Sequence, residues 1–114
     1  MTKVQAREIL AEDASSSTGG SWTYLTNHAH VLLCLARDPE VRLRDVARLV
    51  GITERAVTRI LMDLENSGVV EKRKVGRRNY YSVFLDRPLR HELESHRTIG
   101  DLMRLVLGPQ WVEP

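Results

Sequence analysis

Arg55, Thr58, Arg59 and Met62, in the stretch TERAVTRILMD, stand at i, i+3, i+4 and i+7. In a helix that spacing makes one row. Two guanidiniums and a hydroxyl in such a row are strongly directional hydrogen-bonding groups. An Arg fork pairs bidentately with two adjacent acceptors, such as O6 and N7 of guanine, and a Thr hydroxyl bonds to a base or a phosphate. Thr53, just ahead of the row, is of a type that caps a helix, and a helix N-terminus attracts phosphate. Glu54 in the first turn suits a cytosine amino group, and equally complements the helix dipole. The competing use of the row is at a solvated surface, with Arg55 and Arg59 paired to Glu54, Asp63 or Glu65.

A second group of charges bears on that choice. Lys72, Arg73, Lys74, Arg77 and Arg78 surround Gly76. Like charges crowded at a tight turn repel one another unless a polyanion neutralises them. Lysines also protect strand edges from unwanted pairing, which is the plainer use of such residues. A polar helix row followed by a basic turn forms a combined pattern that points to nucleic acid.

The elements that must position these groups follow from periodicity. Ala29, Leu32, Leu33 and Ala36 repeat at helical spacing, which predicts a first helix capped by Thr26 and stopped by Asp38 and Pro39. Leu43, Val46, Ala47 and Val50 predict a second helix with Asp45 in its first turn. Gly51 then supplies a left-handed stop, Ile52 turns inward and Thr53 caps the third helix, Glu54 to about Ser67, with Val57, Ile60, Leu61 and Leu64 on its apolar side. Helix, tight Gly turn, helix is the helix-turn-helix arrangement.

Beyond Gly68 the segments VVEKRKV and NYYSVFL are β-branched and aromatic, and flank Val75-Gly76-Arg77-Arg78, which predicts a hairpin with Tyr81, Val83 and Leu85 facing the core. The last stretch, LRHELESHRTIGDLMRLVL, is helical in composition. Thr98 and Asp101 form a capping-box start for a stripe of Ile99, Leu102, Met103 and Val106. The fold class expected is α+β, mainly helical: a three-helix core plus a β-hairpin wing, and a C-terminal helix. Residues 1–21 read as a flexible tail containing the linker ASSSTGGS with a helical turn or two before it, 22–87 as the winged domain and 88–114 as a helical dimerisation segment.

At 114 residues the chain is long enough for one core and too short for a further ligand or catalytic domain. Its Lys plus Arg count is 17 against 15 for Asp plus Glu, so the distribution of charge, and not the net charge, carries the argument for a polyanion. No apolar run approaches the roughly 18 residues that span a bilayer, and the N-terminus has no signal-peptide core. The expected location is the cytoplasm, with no membrane partner. Cys34, the single cysteine, sits among Leu32, Leu33 and Leu35 and reads as a buried, inert thiol.

The span from about Thr23 to Phe84 resembles the winged helix-turn-helix domain of MarR-like and ArsR-like bacterial transcriptional regulators. VARLVGITERAVTRILMDLENSGVVEKR matches the family's helix-turn-helix and GRRNYYSV its wing. The resemblance implies a homodimer bound to double-stranded DNA, the third helix in the major groove and the wing on the minor groove or backbone. Thr53, Arg55, Thr58 and Arg59 take the recognition role, joined by Glu54; Arg77 and Arg78 take the wing role, with Arg73 and Lys74 beside them. MarR-like proteins have longer flanking helices than this chain, which argues against a small-molecule effector site.

Dimerisation is expected through the C-terminal helix, whose Ile99, Leu102, Met103, Leu105 and Val106 leave it apolar around more than half its girth, with Trp111 and Val112 nearby. ArsR-like metal sensing is a rival. His28 and His30 diverge by roughly 200° on a helix, however, and a site from His91, His96, Asp86, Glu92 and Glu94 would need two subunits, so no metal and no cofactor is expected. No phosphate loop, paired metal-ligand spacing or nucleophile elbow is present, so no catalytic residue is assigned and no enzyme is expected. The remaining alternative is a winged-helix module for protein or RNA contact, which has no need of a basic third-helix face.

Overall fold

The computed structural model describes residues 21–111. The helical turns and linker expected before Ser21, and Val112, lie outside the described residues. The chain forms helix α1 (Asn27–Arg37), α2 (Leu43–Val50), α3 (Glu54–Asn66), strands β1 (Val70–Val75) and β2 (Arg78–Val83), and α4 (Ile99–Leu107).

Thr26 begins α1 by accepting the Ala29 N–H at 3.2 Å, and Asp38 ends it with its own N–H on the Cys34 carbonyl. The predicted apolar stripe understates this helix. Leu33 is only half-buried, whereas Val31 and Leu35, off the stripe, are fully buried. The reason is placement: α2, α3, β2 and α4 all pack on α1, so apolar residues are needed around most of its circumference.

Between α2 and α3 the chain reverses through Gly51, whose φ of 87° is strained for any residue with a Cβ. Its N–H and that of Ile52 both reach the Ala47 carbonyl, at 2.8 and 3.0 Å. Thr53 then accepts the Ala56 N–H at 3.1 Å. Buried Val57, Ile60, Leu61 and Leu64 fix which side of α3 faces inward; burying each such side chain contributes about 1.5–3 kcal/mol.

β1 and β2 pair antiparallel in the register Val70 with Val83 through Val75 with Arg78, around the two-residue turn Gly76-Arg77. Gly76 has φ of 64°, the positive value such a tight turn demands. At its root the hairpin is tied to the helical part: the Tyr81 N–H donates to the Pro39 carbonyl just beyond α1 at 2.9 Å, and the Val69 N–H to that of Leu64 in α3 at 3.0 Å, while the Phe84 N–H extends the ladder to Val69 at 2.8 Å. Tyr81 is buried as predicted, with Val83 and Leu85 half-buried behind it.

The segment after Pro88 departs from expectation. Residues 89–98 form turns, not helix. The Leu89 N–H donates to the Arg97 carbonyl, and the Ile99 and Gly100 N–H groups to Arg87 and Leu85. These pairings close the charged stretch into a loop, and without a continuous apolar stripe it gains nothing by coiling. The helix starts only at the predicted capping box: the Thr98 hydroxyl accepts from the Asp101 N–H at 3.1 Å and the Asp101 carboxylate from the Thr98 N–H at 2.9 Å.

The inward face of α4 is also rotated from the predicted stripe. Ile99, Gly100 and Met103 are buried, Leu102 and Leu107 half-buried, and Val106 is 46% exposed. Ile99 and Met103 belong to the chain's own core, Met103 with no exposed surface at all, and this corrects their assignment to a dimer contact. Trp111 is likewise held by its own chain, its Nε1–H donating to the Ala36 carbonyl at 3.2 Å.

Candidate nucleic-acid interface

With the buried side of α3 fixed by four apolar residues, Arg55, Thr58, Arg59 and Met62 are left exposed, Met62 by 55%. Among the described residues neither the Arg55 nor the Arg59 side chain makes an ion pair or hydrogen bond. Asp63, one of their expected surface partners, is taken by His28, whose Nε2 lies 2.8 Å from its Oδ2. Thr58 turns its hydroxyl back to donate to the Glu54 carbonyl at 3.1 Å. Thr53 and Glu54 are exposed at the head of the same helix.

The wing's cations do not form one cluster. In the observed register Lys72 lies opposite Tyr81 and Lys74 opposite Asn79, on one face of the hairpin; Arg73 lies opposite Tyr80 on the other. Arg73 is held there over the Tyr80 ring, 5.5 Å from its centroid, an attraction of about 0.5–1 kcal/mol at an exposed site. Arg77 occupies the turn itself, and Arg78 reaches Glu40 at 3.8 Å.

One contributor escaped the sequence. A cleft between the wing tip and the start of α2 is lined by Arg42, Arg77 and Arg78 together with Glu40, so Arg42 adds a guanidinium to the wing's basic surface. Some 35 positions separate Arg42 from Arg77, and only the fold brings them together.

Elsewhere, the end of α3, α1 and the loop into α4 line an open apolar pocket of about 430 Å³ formed by Leu32, Leu64, Leu89, Ile99 and Leu102, with the His28–Asp63 pair also on its wall. Cys34 is buried, and burial pushes its thiol pKa up against the lowering effect of Arg37, which suits an unreactive core residue. Among the described residues no group of three or more His, Cys, Asp or Glu is placed to hold a metal ion, and no helix is long and apolar enough to cross a membrane.

Comparison with known proteins agrees with this geometry. Residues 26–71, under half of the chain, match the family model for winged helix-turn-helix DNA-binding domains. No curated protein matches the sequence. Among solved structures the chain is similar to a predicted DNA-binding transcriptional regulator from E. coli, at 15% identity over 69% of this chain and 72% of that one, with a TM-score of 0.49. It is similar to a MarR family protein of Mycobacterium tuberculosis solved with salicylic acid, at 26% identity over 53% and 47% of the two chains, with a TM-score of 0.44. It is also similar to the PcaV transcriptional regulator of Streptomyces coelicolor, at 22% identity over 73% and 60%, with a TM-score of 0.49. The match thus spans about half of the mycobacterial chain and three-fifths of the Streptomyces one. From the cap of α1 to the start of the wing, the chain is similar to winged helix-turn-helix DNA-binding domains.

Proposed function

We propose that the chain is a sequence-specific, double-stranded-DNA-binding transcriptional regulator of MarR-like type that works as a homodimer. α3 enters the major groove, with Arg55 and Arg59 on base edges and Thr53, Glu54 and Thr58 beside them. The wing, through Arg77 and Arg78 with Arg73, Lys74 and Arg42, lies on backbone or minor groove. The observation that carries this reading is the outer face of α3: two guanidiniums, unpaired among the described residues, on a helix whose orientation the core fixes. An Arg kept exposed and unpaired retains its full set of donors for a partner's acceptors.

The dimer rests on α4, where Leu105 is 80% exposed beside half-exposed Val106 and half-buried Leu102. A second copy covers such a surface across a two-fold axis and presents two α3 helices to half-sites one helical turn, or a multiple of it, apart.

The test is selection of bound duplexes from random sequence, followed by affinity measurement with Arg55→Ala and Arg59→Ala. Each substitution is expected to weaken the selected site by about 1–3 kcal/mol and relax preference at one position per half-site, with thermal stability unchanged. Parent-like binding by both variants would remove α3 from the interface.

The apolar pocket supports a second reading, a regulator that also responds to a small apolar ligand, since its volume lies in the range of ligand pockets. Thermal-shift titration with aromatic acids, which raises the midpoint only if one binds, tests it.

A further inference from the structure

The two exposed threonines of the α3 face hold their hydroxyls in opposite senses. Thr53 Oγ1 accepts from the Ala56 N–H at 3.1 Å, so its proton remains for an outside acceptor. Thr58 Oγ1 donates to the Glu54 carbonyl at 3.1 Å, so its one proton is committed inward and lone pairs face outward. Thr58 stands one turn after Arg55, one turn before Met62 and next to Arg59, in the middle of the exposed row.

We propose that Thr58 is a specificity-determining residue that reads an exocyclic amine, adenine N6 or cytosine N4, in the major groove. This rests on the reading of α3 as the recognition helix. In that groove guanine and thymine present acceptors, whereas adenine and cytosine present amino donors. The guanidiniums of Arg55 and Arg59, being donors only, suit the first class. Thr58, as held here, suits the second. Against a guanine or thymine edge its lone pairs would meet another acceptor, and turning the hydroxyl outward would break its bond to Glu54. Arg55 and Thr58 are three residues apart, about 4.5 Å along the helix, against about 3.4 Å per base step. The bases they read are therefore neighbours.

The experiment uses the intact chain and its selected duplex. Affinities of the parent, Thr58→Val and Thr58→Ser are measured on duplexes altered one base pair at a time, and on duplexes carrying purine for adenine or pyrimidin-2-one for cytosine, which lack only the amine. At one position, within a step of the base whose preference is lost in Arg55→Ala, removing the amine is expected to weaken the parent and Thr58→Ser about fivefold and to leave Thr58→Val unaffected. Valine keeps the side chain's shape, and melting curves establish that the variant is folded. An equal loss in Thr58→Val overturns the proposal, as does a guanine or thymine wherever Thr58→Val changes preference. If Arg55→Ala and Arg59→Ala lose selectivity but Thr58→Val does not, the Thr58 assignment alone falls. If the intact chain selects no sequence, the recognition-helix reading falls and takes this proposal with it.

Discussion

His28 Nε2 sits 2.8 Å from Asp63 Oδ2, linking the first turn of α1 to the third turn of α3. Both side chains are about half exposed, so the pair contributes at most about 1 kcal/mol to stability. It also occupies the carboxylate that Arg59, four residues before Asp63 on the same helix, is spaced to pair with. His28→Ala releases the carboxylate to Arg59, and DNA affinity is expected to fall about twofold, the worth of one such helix pair. Adding Asp63→Asn is expected to restore it; a double variant as weak as His28→Ala would show that Asp63 does not compete for Arg59.

The wing arginines differ in what holds them. Arg78 already lies near Glu40, and Arg77 has no ion-pair partner among the described residues. Arg77→Ala is expected to reduce the log–log salt slope of DNA binding by about 0.9 if it contacts a phosphate. Glu40→Gln, which releases Arg78, is expected to strengthen binding at low salt. A slope unchanged in Arg77→Ala would take the turn off the DNA backbone.

Because Ile99 and Met103 complete the core, cutting the chain before Thr98 would unfold the domain and reveal nothing about assembly. Leu105 is the better probe, being 80% exposed. Sedimentation is expected to give a dimer for the parent and a folded monomer for Leu105→Asp, with affinity for a two-half-site duplex collapsing and that for a single half-site retained. A dimeric Leu105→Asp chain would move the interface away from α4.

Two groups set opposite pH limits. The Thr98 N–H, seconded by Arg104, holds the Asp101 carboxyl below its usual pKa. That stabilisation is present above the unfolded value near 3.9 and is lost as pH falls through the folded one. Cys34, its pKa raised by burial, stabilises the fold below the unfolded value near 8.5, and that contribution is lost as pH rises toward the folded one. Melting midpoints are expected to fall less steeply below pH ~4 in Asp101→Asn and above pH ~8.5 in Cys34→Ala than in the parent. Limbs parallel to those of the parent would show that neither group governs them.

What was legible in the sequence was local. Gly51, Thr53, Gly76 and the Thr98–Asp101 box each fix a boundary through their own backbone chemistry, and the structure has all four where the residue types required them. Burial on α3 followed from its period for the same reason. Features set by remote partners were not legible. Val31 and Leu35 are buried because four elements surround α1, and residues 89–98 form turns because Leu89 bonds to Arg97 and the Ile99 and Gly100 N–H groups bond to Arg87 and Leu85 across the loop. The rotation of α4 that hides Met103 and half-exposes Val106, and the meeting of Arg42 with Arg77, belong to the same class.

The bond from the Tyr81 N–H to the Pro39 carbonyl also divides the hairpin dynamically. A two-stranded ribbon alone is marginal in water, but here the root shares hydrogen bonds with the helical core while the turn at Gly76-Arg77 shares none. In amide exchange the Tyr81 and Phe84 protons are expected to be released only with global unfolding, and those near the turn by local opening. In the DNA-bound arrangement proposed above, the basic tip would adjust to the contour of a duplex without loosening the base on which it is mounted.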